Sequence, residues 1–393
     1  MLIIIVAHVT PWTRGLTPST IFFTVASAMI LLLLGLAARG RSFTHLPIAA
    51  GRVVAVVATY NEPPEILDAC IRSLLAGTVV PDVVHVVDDG SAIPATPLQH
   101  PRVRWHQQSN LGKRHAQVNG LAGERHSAFV LTVDSDSIVD RHALAEALRA
   151  FSDPNVQAVT AMCVVRNRTA SLLTRLTDLE TFTGNAVMRR ARSVLGVVAP
   201  TSGPFAMYRS EVVFDNVDDY LASGTYGDDR RLTHYALLRG EVVACDEAIV
   251  ETQMPETPRA MFRQRTRWYQ GYFRYLGWEL RNLDGPALLL RIWNLVLIAT
   301  FPIIVAMTLV VAPIMTGRIY WEGWAYWLAL LYAHTLQYMF DRPGLPTRTR
   351  FVTWLLLTPL LLGLQVFIIR PAMYRAMTRL RSDAWVTRDI AAA

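Results

Sequence analysis

The chain of 393 residues has a formal net charge of +7, and 52% of its residues are apolar. The charge comes almost wholly from arginine, because Lys113 is the only lysine, and the arginines lie beside long apolar runs. This arrangement excludes nucleic acid as the expected partner and favours anionic lipid and diphosphate. The three cysteines show neither metal-ligand spacing nor a plausible disulfide framework, and they fit small buried residues in a reducing compartment.

Four apolar runs approach or exceed the roughly 18–20 residues that a helix needs to cross a bilayer. They lie at 21–38, 292–315, 319–340 and 351–369. Arg39 and Arg41 follow the first run, and by the positive-inside rule they place the next domain in the cytosol. The pattern predicts a multi-pass protein of the plasma membrane, with an N-terminal transmembrane anchor at 1–40 and a C-terminal transmembrane region at 286–380.

The stretch 41–257 alternates between valine-rich strands and helices. Strands are predicted at 53–58, 83–87, 129–133 and 156–165, and helices at 64–75, 113–122 and 141–151. This alternation predicts an α/β fold with a mostly parallel sheet, covered on both faces. Ligands bind beyond the carboxyl ends of such strands. Polar clusters follow the first three strands, with the sequences TYNE, DDGS and DSDS.

The segment 258–285 interleaves aromatic and aliphatic residues with arginines. This pattern predicts amphipathic helices on the membrane surface, and a soluble amphipathic helix packed on the domain is the alternative. Its QRTRW sequence offers cations for a leaving diphosphate and an indole that can stack on a sugar. Anchoring at the membrane interface would explain the same residue types.

Two acidic motifs and one basic motif are candidates for chemistry. Asp134 and Asp136 can turn toward one point past a strand end and meet a divalent metal and a diphosphate-linked sugar, although a solvated acidic turn has the same sequence. Gly112-Lys113-Arg114 opens a helix and suits a diphosphate, or is an ordinary basic helix start. In the sequence GDDR, Asp229 is a candidate general base, and a structural salt bridge is the alternative.

Together these motifs resemble the processive family 2 glycosyltransferases, and hyaluronan synthases in particular. The matching stretches include ATYNE, VVDDGS, NLGKRHAQ, LTVDSDS, SGPFAMYR, GDDRRLT, QRTRW and DAWVTR. Synthases of nodulation-type chitooligosaccharides are close relatives of this pattern. The resemblance implies a cytosolic GT-A-type domain with a mixed or parallel sheet, inserted between transmembrane helices. It also implies UDP-sugar donors, a growing polysaccharide and Mg²⁺ or Mn²⁺.

The resemblance also implies roles for individual residues. Catalysis is implied for three of them, with Asp229 as the base, Arg267 steadying the UDP leaving group and Trp268 stacked on the acceptor sugar. Asp136 would bind the metal. Contacts to the donor or the acceptor are implied for Thr59, Tyr60, Glu62, Asp88, Lys113, Arg114, Asp134, Ser202, Gly203, Pro204, Arg230, Gln264, Trp385 and Arg388.

The chain departs from the family pattern at two positions, and its topology needs one adjustment. Val386 replaces the usual glycine of a WGTR ending, and Thr201 stands where cysteine is frequent. Three full C-terminal spans would put the tail at 381–393 outside the cell, yet a gate over the donor site must be cytosolic. We therefore predict that 351–380 forms a bent or re-entrant pair, broken near 359–363 or at Pro371.

The predicted activity is an inverting polymerisation of UDP-GlcNAc and UDP-GlcA, with export of the polysaccharide through the membrane helices. A β-linked homopolymer of the chitin or chitooligosaccharide type is the alternative. A third interpretation is a non-catalytic membrane transporter or scaffold with a degenerate transferase domain. The complete set of Asp134, Asp136, Asp229 and Arg267 argues against the third.

Overall fold

A computed structural model describes residues 18–224, 227–319 and 321–380. Eight strands form one sheet, and we number them in chain order. They are β1 (Val53–Thr59), β2 (Val83–Asp88), β3 (Val103–Gln107), β4 (Phe129–Asp134), β5 (Ile138–Val139), β6 (Val156–Val165), β7 (Ala206–Arg209) and β8 (Glu241–Thr252).

The helices of the sheet domain cover both faces of the sheet. They are α2 (Pro64–Leu75), α3 (Lys113–Gly120), α4 (Ala143–Ala150), α5 (Leu172–Thr183), α6 (Arg190–Val194), α7 (Ser210–Phe214), α8 (Val217–Ala222) and α9 (Asp228–Leu237), with α1 (Pro18–Arg39) before them. A π-helical turn, Gly184–Arg189, joins α5 to α6.

The remaining helices lie after the sheet domain. They are α10 (Pro258–Arg274), α11 (Leu276–Asn282), α12 (Gly285–Ala306), α13 (Ala312–Thr316), α14 (Trp321–Asp341), α15 (Thr347–Leu357), α16 (Leu360–Leu364) and α17 (Arg370–Met377). Two more π-helical turns, Met307–Val311 and Gln365–Ile369, continue α12 and α16.

The sheet is mixed, with the strand order β3-β2-β1-β4-β7-β6-β8-β5. Strands β1 to β4 pair in parallel, whereas β7 runs antiparallel between β4 and β6. All four strands predicted from valine-rich runs are present, because their side chains are buried on both faces. The predicted helices at 113–122 and 141–151 are shorter, and β3, β5, β7 and β8 were not predicted.

Two helices of the described chain are long and apolar enough to cross a membrane, by length and composition: Gly285–Ile303 and Leu360–Met377. This is fewer than the four runs that the sequence suggested. The apolar run at 351–369 is not one helix, because it is interrupted at Thr358 and Pro359, as predicted for this segment. Proline lacks the amide hydrogen that would continue the helix.

The C-terminal helices fold back onto α10. Near the break, Thr358 bonds the Thr335 hydroxyl of α14 at 3.1 Å, so α15 ends beside the middle of α14. The chain then returns through α17, and the Gln270 side chain of α10 donates to the Arg379 carbonyl at 3.0 Å. Arg274 of the same helix donates to the Leu380 carbonyl at 3.0 Å. The last described residue therefore lies against α10.

Candidate active site

The carboxyl ends of the central strands bring the predicted donor residues to one edge of the sheet. In the parallel register, Ala58 of β1 pairs with Asp134 of β4, and Thr59 pairs with Asp88 of β2. Parallel strands end at the same edge, so their terminal side chains lie side by side. The site is therefore assembled from residues far apart in sequence.

Lys113 occupies the centre of this edge. Its ammonium group lies 2.6 Å from Asp134 Oδ1 and 2.7 Å from Asp228 Oδ2, so one cation bridges two carboxylates. Burial by itself lowers the pKa of Lys113, but the two carboxylates outweigh it and raise the pKa above its ordinary value. The sequence analysis singled out Asp229 from the GDDR motif and missed Asp228. The position of Asp228 in the first turn of α9 was the signal that could have identified it as a site residue.

The loop of the predicted acceptor path closes tightly over Asp134. A Cβ added to Gly203 would lie 2.6 Å from Asp134 Oδ2, so only glycine allows this approach. The neighbouring Ser202 is buried, and its amide donates to the Thr160 hydroxyl at 3.0 Å. The structure thus brings the predicted acceptor loop into contact with the predicted donor residue.

Asp229, the predicted base, lies in the first turn of α9. The helix follows Gly227, whose φ of 69° is in the left-handed region that favours glycine. Burial, followed by the negative charge of Asp228, raises the pKa of Asp229 to about 6. A carboxylate with this pKa is ionised at neutral pH and is a better proton acceptor than an ordinary aspartate.

The residues predicted to hold uridine are partly engaged within their own loops. Both Asp88 oxygens accept backbone amides, from Ser91 at 2.9 Å and Ala95 at 3.1 Å. Glu62 accepts a hydrogen bond from the Ser135 hydroxyl at 2.8 Å, which ties the first polar cluster to the third. Asp89, which was not predicted, accepts the Leu111 amide at 3.0 Å and so holds the approach to α3.

Two predicted binding residues have other partners. The Arg114 guanidinium is buried and donates to the Tyr220 carbonyl at 2.8 Å and the Tyr275 hydroxyl at 2.7 Å. Its neighbour Lys113 faces the carboxylates, because consecutive helical residues point in different directions. The Arg230 guanidinium pairs with Glu279 at 2.8 Å. Both arginines connect the site to the helices that follow the sheet domain.

Helix α10 carries the QRTRW sequence. Thr257 caps its start and Pro258 occupies its first turn, so the helix begins where sequence signals predict. Trp268 is 45% exposed, with the Arg265 guanidinium 4.3 Å from its ring centroid. Gln264 and Arg267 are half-buried on the same helix. Arg265 therefore lies over one face of this exposed indole.

At this edge of the sheet, two carboxylates rather than a complete set of protein ligands are available to a divalent metal. No group of three or more His, Cys, Asp or Glu side chains that could hold a metal occurs among residues 18–224, 227–319 and 321–380. Mg²⁺ and Mn²⁺ usually use one or two carboxylates, with substrate phosphates and water as further ligands. Asp134 and Asp136 fit that requirement. Trp385 and Arg388, the predicted gate, lie outside the described residues.

Comparison with known families and curated proteins agrees with the predicted resemblance. The model of the family described as "Glycosyltransferase like family 2" matches residues 50–271. A hyaluronan synthase of Streptococcus pyogenes serotype M3 is 29% identical, over 98% of this chain and 95% of its own length. An N-acetylglucosaminyltransferase of Rhizobium meliloti is 30% identical, over 86% of this chain and 81% of its own.

A solved structure shares the fold. The mannosyltransferase of Pyrobaculum calidifontis, determined in complex with GDP-Man and Mn²⁺, has a TM-score of 0.58 and 20% sequence identity. The match covers 93% of this chain and 98% of that one. The likeness supports the predicted α/β domain, with a mixed sheet of the GT-A kind.

Proposed function

Because this chain belongs to glycosyltransferase-like family 2 and is a sugar-nucleotide glycosyltransferase, we propose that it is a membrane-embedded processive synthase. Its donors are UDP-GlcNAc and UDP-GlcA, and its product is a hyaluronan-like polysaccharide. The observation that carries the proposal is the Lys113 ammonium between Asp134 and Asp228, with Asp229 adjacent. The full-length similarity to a hyaluronan synthase supports the choice of donors.

The donor site uses Lys113 and the carboxylates around it. Asp134 and Asp136 would hold Mg²⁺ or Mn²⁺ at the strand end, and the ion would stabilise the negative charge that develops on UDP. Lys113 turns from its carboxylate partners toward the diphosphate, and Arg267 steadies the leaving group. Asp88, Tyr60, Glu62 and Thr59 hold the uridine side of the donor.

The transfer is a single inverting displacement. The acceptor hydroxyl attacks C1 of the donor sugar, its proton passes to the Asp229 carboxylate, and the bond from C1 to the UDP oxygen breaks. Gly203 and its neighbours Ser202 and Pro204 guide the acceptor to this point, and Trp268 stacks on its sugar. The pKa of about 6 supports Asp229 as the base.

The membrane arrangement is part of the proposal. Residues 1–40 anchor the protein in the plasma membrane, 41–257 form the cytosolic transferase, and 258–285 lie on the membrane surface. Residues 286–380 form the C-terminal membrane region, through which the polymer leaves. The contact of Arg274 with the Leu380 carbonyl supports a cytosolic tail at 381–393 with Trp385 and Arg388 as a gate. An N-glycosylation tag after Ala393 that becomes modified outside the cell would overturn this arrangement.

The test uses membranes that contain the protein, Mg²⁺ or Mn²⁺, and labelled UDP-GlcNAc with and without UDP-GlcA. Polymer that requires both donors and is digested by hyaluronidase is the expected result. Incorporation from neither donor would overturn the proposal.

A chitin-type synthase is the second candidate, supported by the 30% identity to an N-acetylglucosaminyltransferase. It predicts polymer from UDP-GlcNAc alone. Digestion of that polymer by chitinase, with no effect of UDP-GlcA on its yield, would decide for this candidate.

A further inference from the structure

A cluster of arginines, one of them buried and two half-buried, lies between the acceptor loop and the helices that follow α10. We call it the arginine cluster: Arg230 and Arg291, which contact Glu279 and the ring of Tyr272, and Arg192, on which the charges of both other arginines act. Arg230 and Arg291 both pair with Glu279, and their guanidinium carbons lie 5.3 Å and 3.6 Å from the Tyr272 ring centroid.

The arginine cluster has more positive than negative charge. Arg230 and Arg291 share one carboxylate, Glu279, which also accepts from His234 at 2.9 Å. With the neighbouring Asp229, whose charge acts on Arg230, two carboxylates face three guanidinium groups. Burial, followed by the positive charge of Arg230, lowers the pKa of Arg192 to about 10. Burial also lowers the pKa of His234 to about 4, so this imidazole is neutral at pH 7 and adds no charge.

Several donors of the arginine cluster have no hydrogen-bond partner within the described part of the chain. They are Arg192 Nε, Arg291 Nε and the Tyr272 hydroxyl. Arg291 is only 6% exposed, so bulk water does not compensate its unpaired nitrogen. Buried charges and buried donors without partners are unfavourable, which indicates that an anionic ligand completes the group.

The position of the arginine cluster identifies the ligand. Arg230 directly follows the proposed base Asp229 in the chain. Arg192 donates to the carbonyl of Ala199 at 2.7 Å, and Ala199 shortly precedes the acceptor loop in the chain. The cluster therefore lies beside the proposed base and the acceptor loop. A lipid headgroup at the domain surface is a poorer match for so buried a position.

We propose that the arginine cluster binds the carboxylate of a uronic acid unit in the growing chain. The inference rests on the proposed function and assigns the residues that recognise the acidic unit of its product. Guanidinium groups bind carboxylates through strong charge-assisted hydrogen bonds, whereas a neutral N-acetylglucosamine polymer offers no group that neutralises the excess charge.

The test measures equilibrium binding to the full chain in nanodiscs of zwitterionic lipid. The probes are an oligosaccharide of alternating N-acetylglucosamine and glucuronic acid, and the same oligosaccharide with its carboxyl groups reduced to alcohols. We expect the acidic probe to bind at least about tenfold more tightly. Arg291→Met should remove this preference and leave binding of the reduced probe unchanged, while Arg291→Lys restores part of it. Arg281→Met, an exposed arginine of α11, is the matched control and should keep the full preference.

Equal binding of the two probes to the unmutated protein would overturn the inference, even if the variants fail to fold. The binding measurement needs no turnover. An enzyme that polymerises both donors but does not prefer the acidic probe would therefore refute the inference and leave the proposed function standing. Failure of the proposed function would show instead as no polymer from either donor. A separate assay measures polymer synthesis with and without added phosphatidylglycerol. If Arg291→Met abolishes a stimulation of synthesis by this lipid but keeps the preference for the acidic probe, the cluster binds lipid and the inference is wrong.

Discussion

The contact between Gly203 and Asp134 allows a sharp test of the active site. In Gly203→Ala the new methyl group would lie 2.6 Å from Asp134 Oδ2, whereas an ordinary contact begins at 3.4 Å. Relieving this clash requires the Asp134 carboxylate and the new methyl group to move apart by about 0.8 Å. A misplacement of about 1 Å at an active site lowers the rate on the order of 100-fold. Asp134 is partly exposed, so its side chain can move away without disrupting the core.

We therefore expect Gly203→Ala to lower kcat by about 10- to 100-fold while the protein still folds. The assay is UDP release from membranes with both donors, together with thermal unfolding of the purified protein. Gly184→Ala is the matched control, because Gly184 has helical backbone angles and no atom within 4 Å of an added Cβ. A rate for Gly203→Ala equal to that of the control would refute the placement of Asp134 in the reaction.

Four further predictions concern individual groups of the site. Asp229→Asn should abolish turnover and spare UDP binding, and retained synthesis would exclude Asp229 as the base. Since Asp229 is protonated below its pKa of about 6, kcat/KM should rise with pH through about 6 and then level off, and a limb near pH 4 would contradict the raised pKa. Lys113→Met should weaken UDP binding by about tenfold or more, whereas Arg114→Met should lower thermal stability instead, and the opposite pattern would show that their roles are exchanged. EDTA should stop synthesis and added Mg²⁺ or Mn²⁺ should restore it, and full activity in EDTA would exclude a metal.

The central strands of the sheet, whose carboxyl ends carry the candidate site, were predictable because local sequence determines them. Runs such as Val53–Thr59 and Phe129–Asp134 are buried on both faces, and the valines and other apolar residues at most of their positions reflect that environment. In contrast, β7 has only four residues, and β8 interleaves acidic residues with apolar ones. Their pairing with β6 joins segments distant in the chain, which no local pattern reveals.

The motifs predicted which segments form the candidate site, but they did not identify which side chains meet. Lys113 and Arg114 are equivalent in a basic helix start, and only the packing of α3 directs one to the carboxylates and the other to Tyr220 and Tyr275. Glu279 gave no sequence signal, because its partners Arg230 and Arg291 come from different helices. Buried charge networks depend on tertiary contacts and are therefore found only in the folded structure.

The single lysine between two carboxylates makes the chain unusual toward amine-directed reagents. Acylation and imine formation need a neutral amine, and the raised pKa of Lys113 keeps its side chain protonated at neutral pH. Reagents that usually modify surface lysines will therefore react poorly with the lysine side chain of this protein. When conditions force the reaction, each lysine adduct marks one candidate donor site that UDP did not occupy. Counting adducts by mass spectrometry, with and without UDP, turns ordinary labelling into a direct titration of that pocket.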